Sequence, residues 1–143
     1  MNPPDGYPRI SPYLNYEDTG AMMEWLAEAF GMTERHALRG TDGRVIHAEM
    51  ALEDSVVMMG SPGGKFRSPR RLGQITQSLY VYIDDVDAHC ARARAAGAEI
   101  VEEPAEQGYG DRRYGVRDPE GHQWFFASRL DRPATETPAA AGQ

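Results

Sequence analysis

The chain contains an internal repeat, and this repeat restricts its fold more than any other feature of the sequence. The segment SPYLNYED, which begins at Ser11, resembles SLYVYIDD, which begins at Ser78, 67 residues later. Two further landmarks recur at a shift of 66 residues. Gly31 corresponds to Gly97, and the turn Glu53–Ser55 corresponds to the turn Pro119–Gly121. Three landmarks in one order, at shifts of 66 or 67 residues, indicate that a single structural unit occurs twice.

The first copy is predicted to be a βαβββ unit. Asp18 or Thr19 can cap a helix over Thr19–Phe30, and Gly31 can end it in the left-handed conformation. Its buried stripe, at helical spacing, is expected to comprise Met22, Leu26, Ala29 and Phe30. The predicted strands are Ile10–Tyr16, Thr33–Arg39, Val45–Ala51 and Val56–Gly60.

The second copy repeats this order, so the fold class is predicted to be α+β, with two βαβββ modules forming a cupped mixed sheet. Its helix, Val86–Ala96, is expected to bury Cys90 as a small core residue. The predicted strands are Ser78–Ile83, Glu99–Glu102, Tyr114–Arg117 and His122–Ala127. The predicted organisation is a flexible start (1–8), the first module (9–60), a linker (61–77), the second module (78–130) and a disordered tail (131–143).

Composition excludes several classes of function. The net charge is −7, which disfavours binding to a phosphate backbone, so no nucleic-acid partner is expected. The apolar runs are too short to cross a bilayer, and the first residues do not resemble a secretory signal. A single cysteine fits a reducing compartment, so the predicted location is cytoplasmic. The basic cluster at 65–71 is either a solvated linker or a patch for an anion or partner.

A sharp turn near the C-terminus carries a family resemblance. In RDPEGHQWFF, proline and glycine predict a tight hairpin at Asp118–Gly121 between the last two strands. Together with SPYLNYED, FGM and GRVIHAEMALEDSVVMMG, this segment resembles the vicinal oxygen chelate superfamily over about residues 9–130. That superfamily includes glyoxalase I, extradiol dioxygenases, fosfomycin-resistance enzymes and bleomycin-resistance proteins. The HAEM and DSVVMM segments are most similar to its PhnB-like, glyoxalase/bleomycin-resistance branch.

The resemblance implies a cavity lined by a cupped sheet and commonly completed by a second subunit, so we expect a homodimer that binds a small molecule. Metal-dependent relatives place His, Glu or Gln on the first and last strands of each module. The matching positions here are Ser11, Met58 (or Met59), Ser78 and Phe125. Serine, methionine and phenylalanine side chains are poor ligands for a hard divalent cation. We therefore predict no metal and no other cofactor.

The strand VIHAEM contains the one obvious acid–base pair of its sheet. His47 and Glu49 alternate along the strand and therefore share one face. They are candidate catalytic residues, and His122 can join them to form a site of two histidines and one carboxylate. The alternative is that His47 and Glu49 hydrogen-bond each other or lie on an exposed face. His36 and His89 are interpreted as surface residues.

Aromatic and polar residues on the same strand faces predict a binding pocket. Phe125 is favoured over Trp124 to face this pocket, and the loop Gly108–Arg113 can close over a ligand, with Arg113 reaching an anionic group. The candidate ligand-binding residues are Tyr13, Asn15, Met58, Tyr80, Tyr82, Tyr109, Arg113 and Phe125.

These patterns lead to three hypotheses of function. The leading hypothesis is a metal-free binding protein that sequesters a small molecule, such as an antibiotic. The second is a glyoxalase-like lyase or isomerase that uses His47 and Glu49. The third is a non-catalytic interaction module in which residues 65–71 contact a partner.

Overall fold

The computed structural model describes residues 2–131, which form eight strands and three helices. The first module contains β1 (Tyr13–Asn15), α1 (Thr19–Phe30), β2 (Thr33–Arg39), β3 (Val45–Leu52) and β4 (Ser55–Gly60). A short helix, α2 (Pro69–Leu72), lies in the connection between the modules. The second module contains β5 (Ser78–Tyr82), α3 (Val86–Ala95), β6 (Glu99–Glu106), β7 (Asp111–Arg117) and β8 (Gln123–Arg129).

Each module forms its own four-stranded sheet, in the orders β1-β4-β3-β2 and β5-β8-β7-β6. The first strand of each module pairs in parallel with the last one, and the remaining pairs are antiparallel. The two sheets therefore have the same topology, as the sequence repeat requires. The predicted α+β fold of two βαβββ modules is confirmed.

α1 and α3 begin at equivalent aspartates. Asp18 Oδ1 accepts a hydrogen bond from the Ala21 backbone N–H at 3.0 Å, and Asp85 Oδ1 does the same for Ala88 at 3.0 Å. These side chains satisfy N–H groups that have no partner within the helix. The stripe predicted for α1 is buried, and Gly31 ends that helix with φ of 73°.

The hydrophobic core lies between the sheets and their helices. Phe30 at the end of α1 contacts Trp124 and Phe126 of β8, with ring centroids 5.2 and 4.6 Å apart. Strand residues that point to the helices are fully buried, whereas their neighbours point to the opposite face of each sheet. We call this opposite face the open face. It carries the polar and aromatic residues discussed below.

The strand boundaries differ from the prediction mainly at β1, β6 and β7, the last of which begins at Asp111 rather than at Tyr114. β1 covers three residues rather than Ile10–Tyr16, although the Pro12 carbonyl still accepts the Met58 N–H at 2.9 Å. β6 is longer than predicted and continues through Pro104. It tolerates this proline because it is an edge strand and because its register shifts on both sides of Glu102.

Residues 61–77, predicted to be a simple linker, make specific contacts with both modules. The Arg70 guanidinium donates to the Pro119 carbonyl at 2.7 Å, and Arg71 forms an ion pair of 2.6 Å with Glu17. The Ser68 N–H donates to the other oxygen of Glu17 at 2.9 Å. Part of the basic cluster at 65–71 therefore serves internal contacts.

Within the segment predicted to be a flexible start, the Tyr7 hydroxyl donates to Glu49 on β3. Of the predicted tail 131–143, only Asp131 belongs to the described residues. Within residues 2–131, every helix is too short or too polar to span a membrane.

Candidate functional site

The open face of the first module brings His47 and Glu49 together. His47 Nε2 lies 3.1 Å from Glu49 Oε2, and the Glu49 residue is 8% exposed. On the other side of the imidazole ring, His47 Nδ1 lies 3.0 Å from the Tyr13 hydroxyl. Sequence alternation was sufficient to predict the shared face of His47 and Glu49.

Tyr7 completes this network, although no sequence pattern predicts its position here. Its hydroxyl donates to Glu49 Oε1, so both carboxylate oxygens have hydrogen-bond partners. Burial alone would raise the pKa of Glu49, but the hydrogen bonds from Tyr7 and His47 outweigh it and leave this pKa below its usual value. Glu49 is therefore a carboxylate at neutral pH. The only sequence signal for Tyr7 is an aromatic residue enclosed by prolines in PPDGYP.

The open face of the second module contains a cluster centred on Asp111. Asp111 Oδ2 accepts hydrogen bonds from Tyr80 at 2.7 Å and from Tyr82 at 2.9 Å. Arg129 donates to Oδ1 at 3.0 Å, and the Tyr109 hydroxyl lies 3.2 Å from that of Tyr80. Burial disfavours the charge of Asp111, yet these three donors keep its pKa below the usual value. No sequence pattern predicted Asp111 and Arg129, which lie directly opposite each other where β7 begins and β8 ends.

Arg113 does not occupy the position predicted for it. It lies on β7 rather than on a loop, is 1% exposed, and pairs with both oxygens of Glu102 at 3.2 and 3.4 Å. Its guanidinium carbon lies 4.4 Å from the centroid of the Phe125 ring. The expectation that Arg113 reaches an anionic ligand is wrong, because the guanidinium is buried and committed to contacts within the second module.

The strand registers settle which side chains share a face. Phe125 is partly exposed on the open face, whereas Trp124 and Phe126 are buried in the core. Met59 is likewise in the core, so Met58 is the residue of β4 that faces outward, between Tyr13 and Glu49 in the register. The preference for Phe125 and Met58 over their neighbours agrees with this register.

His122 does not join His47 and Glu49. Its Nε2 lies 2.9 Å from the Asn15 carbonyl, and its ring contacts Tyr16 edge to face. The conceivable site of two histidines and one carboxylate is therefore not formed. His36 is exposed as expected, but His89 is not a surface residue: its ring stacks between Phe30 and Phe126.

The residues at the family's metal positions do not fit a hard divalent cation. Ser11 precedes β1, Ser78 begins β5 opposite Gln123, and Met58 and Phe125 occupy the last strands. Their side chains supply two neutral hydroxyls, a thioether and a hydrocarbon ring. Across residues 2–131, no group of three or more His, Cys, Asp or Glu side chains is arranged to hold a metal ion.

A cleft of about 770 Å³ lies along the seam between the two modules. Ile10 and Tyr13 line it from the first module, Tyr80 and Tyr82 from the second, and the turn Glu53–Ser55 borders it. Met32, Trp124 and Phe126 also contribute to its wall. Among the predicted ligand-binding residues, Tyr13, Tyr80 and Tyr82 line this cleft, whereas Asn15, Met58, Tyr109, Arg113 and Phe125 lie outside its lining.

Comparison with known proteins identifies relatives of this chain. The uncharacterized protein Rv0887c of Mycobacterium tuberculosis (strain ATCC 25618 / H37Rv) is 34% identical over 122 residues, which cover 82% of this chain and 72% of that protein. The uncharacterized protein Mb0911c of Mycobacterium bovis is also 34% identical, covering 82% of this chain and 80% of that protein.

Solved structures show the same architecture. The crystal structure of TioX from Micromonospora sp. ML1 superposes with a TM-score of 0.71 at 31% identity, covering 85% of this chain and 98% of TioX. The fosfomycin resistance protein FosX from Listeria monocytogenes shares the fold at 17% identity, with a TM-score of 0.62 and coverage of 85% and 93%. The model of the Glyoxalase/Bleomycin resistance protein/Dioxygenase superfamily matches residues 9–126. The chain belongs to this superfamily.

Proposed function

We propose that this protein binds and sequesters a small organic molecule in the cleft between its modules, without the divalent metal of its metal-dependent relatives. The observation that carries this proposal is a cleft of about 770 Å³ with tyrosines from both modules in its wall. This volume lies within the range of about 300–1,000 Å³ that is usual for small-molecule sites. The unsuitable side chains at the four metal positions support the metal-free part of the proposal.

The exposure of the cleft tyrosines favours a flat ligand. Tyr13, Tyr80 and Tyr82 are 47%, 40% and 57% exposed, respectively. Tyrosine presents a large apolar face together with a polar hydroxyl, so it suits a ligand with an aromatic or otherwise planar body. The net charge of −7 favours a neutral or cationic ligand over an anionic one. An antibiotic is one candidate, given the drug-resistance proteins in this superfamily.

We also propose that the protein functions as a cytoplasmic homodimer. Leu38 and Val101 are 50% and 39% exposed on the open faces of the edge strands β2 and β6, and large exposed apolar groups of this kind favour association. A second copy would cover them at the open faces. Light scattering after size-exclusion chromatography at several concentrations measures the mass, and a monomer at all of them contradicts this proposal.

Calorimetry and native mass spectrometry test the binding function. Protein purified without chelator is examined for retained molecules and then titrated with planar cationic, neutral and anionic compounds. We expect stoichiometric binding by metal-free protein, weakened about tenfold or more by Tyr80→Ala, because the variant removes a ring from the cleft wall. Leu72→Ala is the control, since Leu72 is 58% exposed but lies outside the cleft lining. Turnover that requires an added metal ion would overturn the proposal.

A second candidate function, an acid–base lyase or isomerase, is favoured by the contact of 3.1 Å between His47 and Glu49. A carboxylate that orients an imidazole is a common arrangement for a general base. Here His47→Ala and Glu49→Gln should each abolish activity while leaving the melting temperature close to that of the wild type. Full activity in both variants would exclude this candidate.

A further inference from the structure

We infer that the Tyr13 phenol is the ligand-facing end of a proton relay formed by Glu49, His47 and Tyr13, and that it acts as a general base toward a molecule in the cleft. The inference rests on the second candidate function. It assigns to Tyr13, rather than to His47, the contact with the ligand. His47 and Glu49 then act through Tyr13 as positioning residues.

The hydrogen bonds give the relay a fixed direction. The Glu49 carboxylate has no hydrogen to donate, so the hydrogen in its contact with His47 comes from Nε2. In the neutral imidazole, Nδ1 then carries the lone pair and accepts the Tyr13 hydroxyl at 3.0 Å. A base held in one tautomer by a carboxylate and paired with a hydroxyl is the arrangement that activates nucleophilic hydroxyls in other enzymes.

Gly60 provides the space that this contact needs. In the sheet register, Gly60 of β4 lies between Asn15 of β1 and His47 of β3. The Tyr13 side chain crosses β4 at this point, and a Cβ atom on residue 60 would collide with its hydroxyl oxygen. The glycine is therefore explained by the Tyr13 hydroxyl together with the Ile46 carbonyl oxygen, which a Cβ atom would approach to 3.0 Å.

Only the last member of the relay reaches the cleft. Tyr13 lines the cleft and is 47% exposed, whereas His47 and Glu49 are absent from its lining. The side chains of His47 and Glu49 are 26% and 10% exposed, so exposure falls along the relay away from Tyr13. A ligand that extends from the cleft over the open face beside Gly60 would therefore meet the Tyr13 phenol before the less exposed His47 imidazole.

This geometry suits proton transfer on a ligand with a C–H bond made acidic by a neighbouring carbonyl group. The Tyr13 oxygen takes the proton from carbon while the hydroxyl hydrogen moves to His47 Nδ1. The electron pair of the broken C–H bond remains on the ligand as an enolate. Return of the proton from Tyr13 to a different atom of the ligand, with the hydrogen on Nδ1 moving back, completes an isomerisation without net oxidation or reduction.

The test measures the chemical reactivity of Tyr13 and needs no ligand. N-acetylimidazole acylates tyrosine hydroxyls, and peptide mass spectrometry gives a separate rate for each tyrosine. We expect Tyr13 to react about tenfold or more faster than Tyr82, which is more exposed but donates to Asp111. His47→Gln should reduce the rate at Tyr13 to about that of Tyr82. Equal rates at Tyr13 and Tyr82 in the wild type, or no effect of His47→Gln, would overturn the inference.

Two further measurements separate the relay from a general structural role. Gly60→Ala keeps all three relay residues but displaces the Tyr13 hydroxyl, so it should slow acylation of Tyr13 while leaving the rate at Tyr82 unchanged. Nitrogen NMR of histidine in the wild type should show His47 protonated at Nε2; protonation at Nδ1 alone would overturn the inference. Because none of these experiments uses a ligand, failure to find binding or turnover does not affect them, and their failure leaves the binding function standing.

Discussion

The Tyr16 hydroxyl donates to Asp118 Oδ2 at 2.6 Å, across 102 residues of sequence and across the boundary between the modules. Both residues are fully buried. Asp118 also accepts the indole N–H of Trp124 at 3.1 Å and the backbone N–H groups of Glu120 and His122 at 3.1 and 3.0 Å. The tight turn near the C-terminus therefore holds a buried carboxylate whose partners come from both modules.

The same turn also caps the helix of the other module. The two carboxylate oxygens of Glu120 accept the backbone N–H groups of Glu17 and Asp18 at 2.5 and 2.9 Å, just before α1 begins. These N–H groups lie at the N-terminal, positive end of the helix dipole, where a carboxylate is favourable. The turn thus fixes the position of α1 relative to the second sheet.

Removal of the Tyr16 hydroxyl should destabilise the protein. In Tyr16→Phe, the buried Asp118 carboxylate loses a donor that water cannot replace, so we expect a loss of about 1–3 kcal/mol. Urea denaturation measures this loss. Tyr13→Phe is the matched control, because Tyr13 is 47% exposed and its hydrogen bond to His47 is at the surface, where water can replace the hydroxyl. An equal free energy of unfolding for Tyr16→Phe and the wild type would show that this contact between the modules does not stabilise the protein.

Features that short sequence patterns encode could be predicted, whereas contacts between segments far apart in the sequence could not. The repeat and the helix caps Asp18 and Asp85 are visible in the sequence itself, so the two βαβββ modules and the bounds of α1 were predicted. The contact of Tyr7 with Glu49 spans 42 residues, and that of Tyr16 with Asp118 spans 102. Such contacts depend on how separate segments are placed, which neither periodicity nor turn chemistry specifies.

The error at Arg113 has a different physical cause. Gly108 and Gly110 suggested a mobile loop, but the hairpin turn is short and β7 already begins at Asp111. Arg113 therefore follows the alternation of a strand, and the partner that neutralises it, Glu102, lies on the neighbouring strand β6. A sequence pattern identifies a charged residue near glycines but not the opposite charge that pairs with it.

Acid should destabilise the protein through His89. Burial lowers the pKa of His89 to about 4, and its Nε2 is buried without a hydrogen-bond partner. The unfolded chain, with an ordinary pKa of about 6.5, binds this proton before the folded protein does. The contribution of His89 to the free energy of unfolding is therefore fully present above about pH 6.5. It decreases, by up to about 3 kcal/mol, as the pH falls to about 4.

Denaturation midpoints between neutral pH and about pH 4.5 measure this effect. His89→Gln should flatten the profile in that range, because glutamine does not titrate and can still accept from the Tyr114 hydroxyl. His36→Gln is the control, since His36 is exposed. A profile that stays as steep in His89→Gln as in the wild type would assign the acid sensitivity to other groups.

Asp111 should control the ionisation of the two tyrosines that donate to it. Burial, together with hydrogen bonds that include those to Asp111, raises the pKa of Tyr80 and of Tyr82 above the usual value. Asp111→Asn removes the negative charge that disfavours phenolate, so both tyrosines should titrate at lower pH in an ultraviolet difference titration. Asp87→Asn is the control, because Asp87 is paired with Arg112 rather than with a tyrosine. Unchanged titration in Asp111→Asn would contradict the hydrogen bonds at this cluster.

Metal ions should neither stabilise this protein nor be needed for binding. Ser11, Met58, Ser78 and Phe125 offer no set of hard donors, so chelator treatment should leave the melting temperature and ligand affinity unchanged. A ligand that binds the folded state adds about 2.7 kcal/mol when it is present at about 100 times its dissociation constant, which moves the melting temperature by several degrees. We therefore expect zinc, nickel, manganese and iron(II) at micromolar concentrations to shift it by less than about 1 °C. Elemental analysis of protein purified without chelator gives an independent answer, and one equivalent of any of these metals per chain would contradict the prediction.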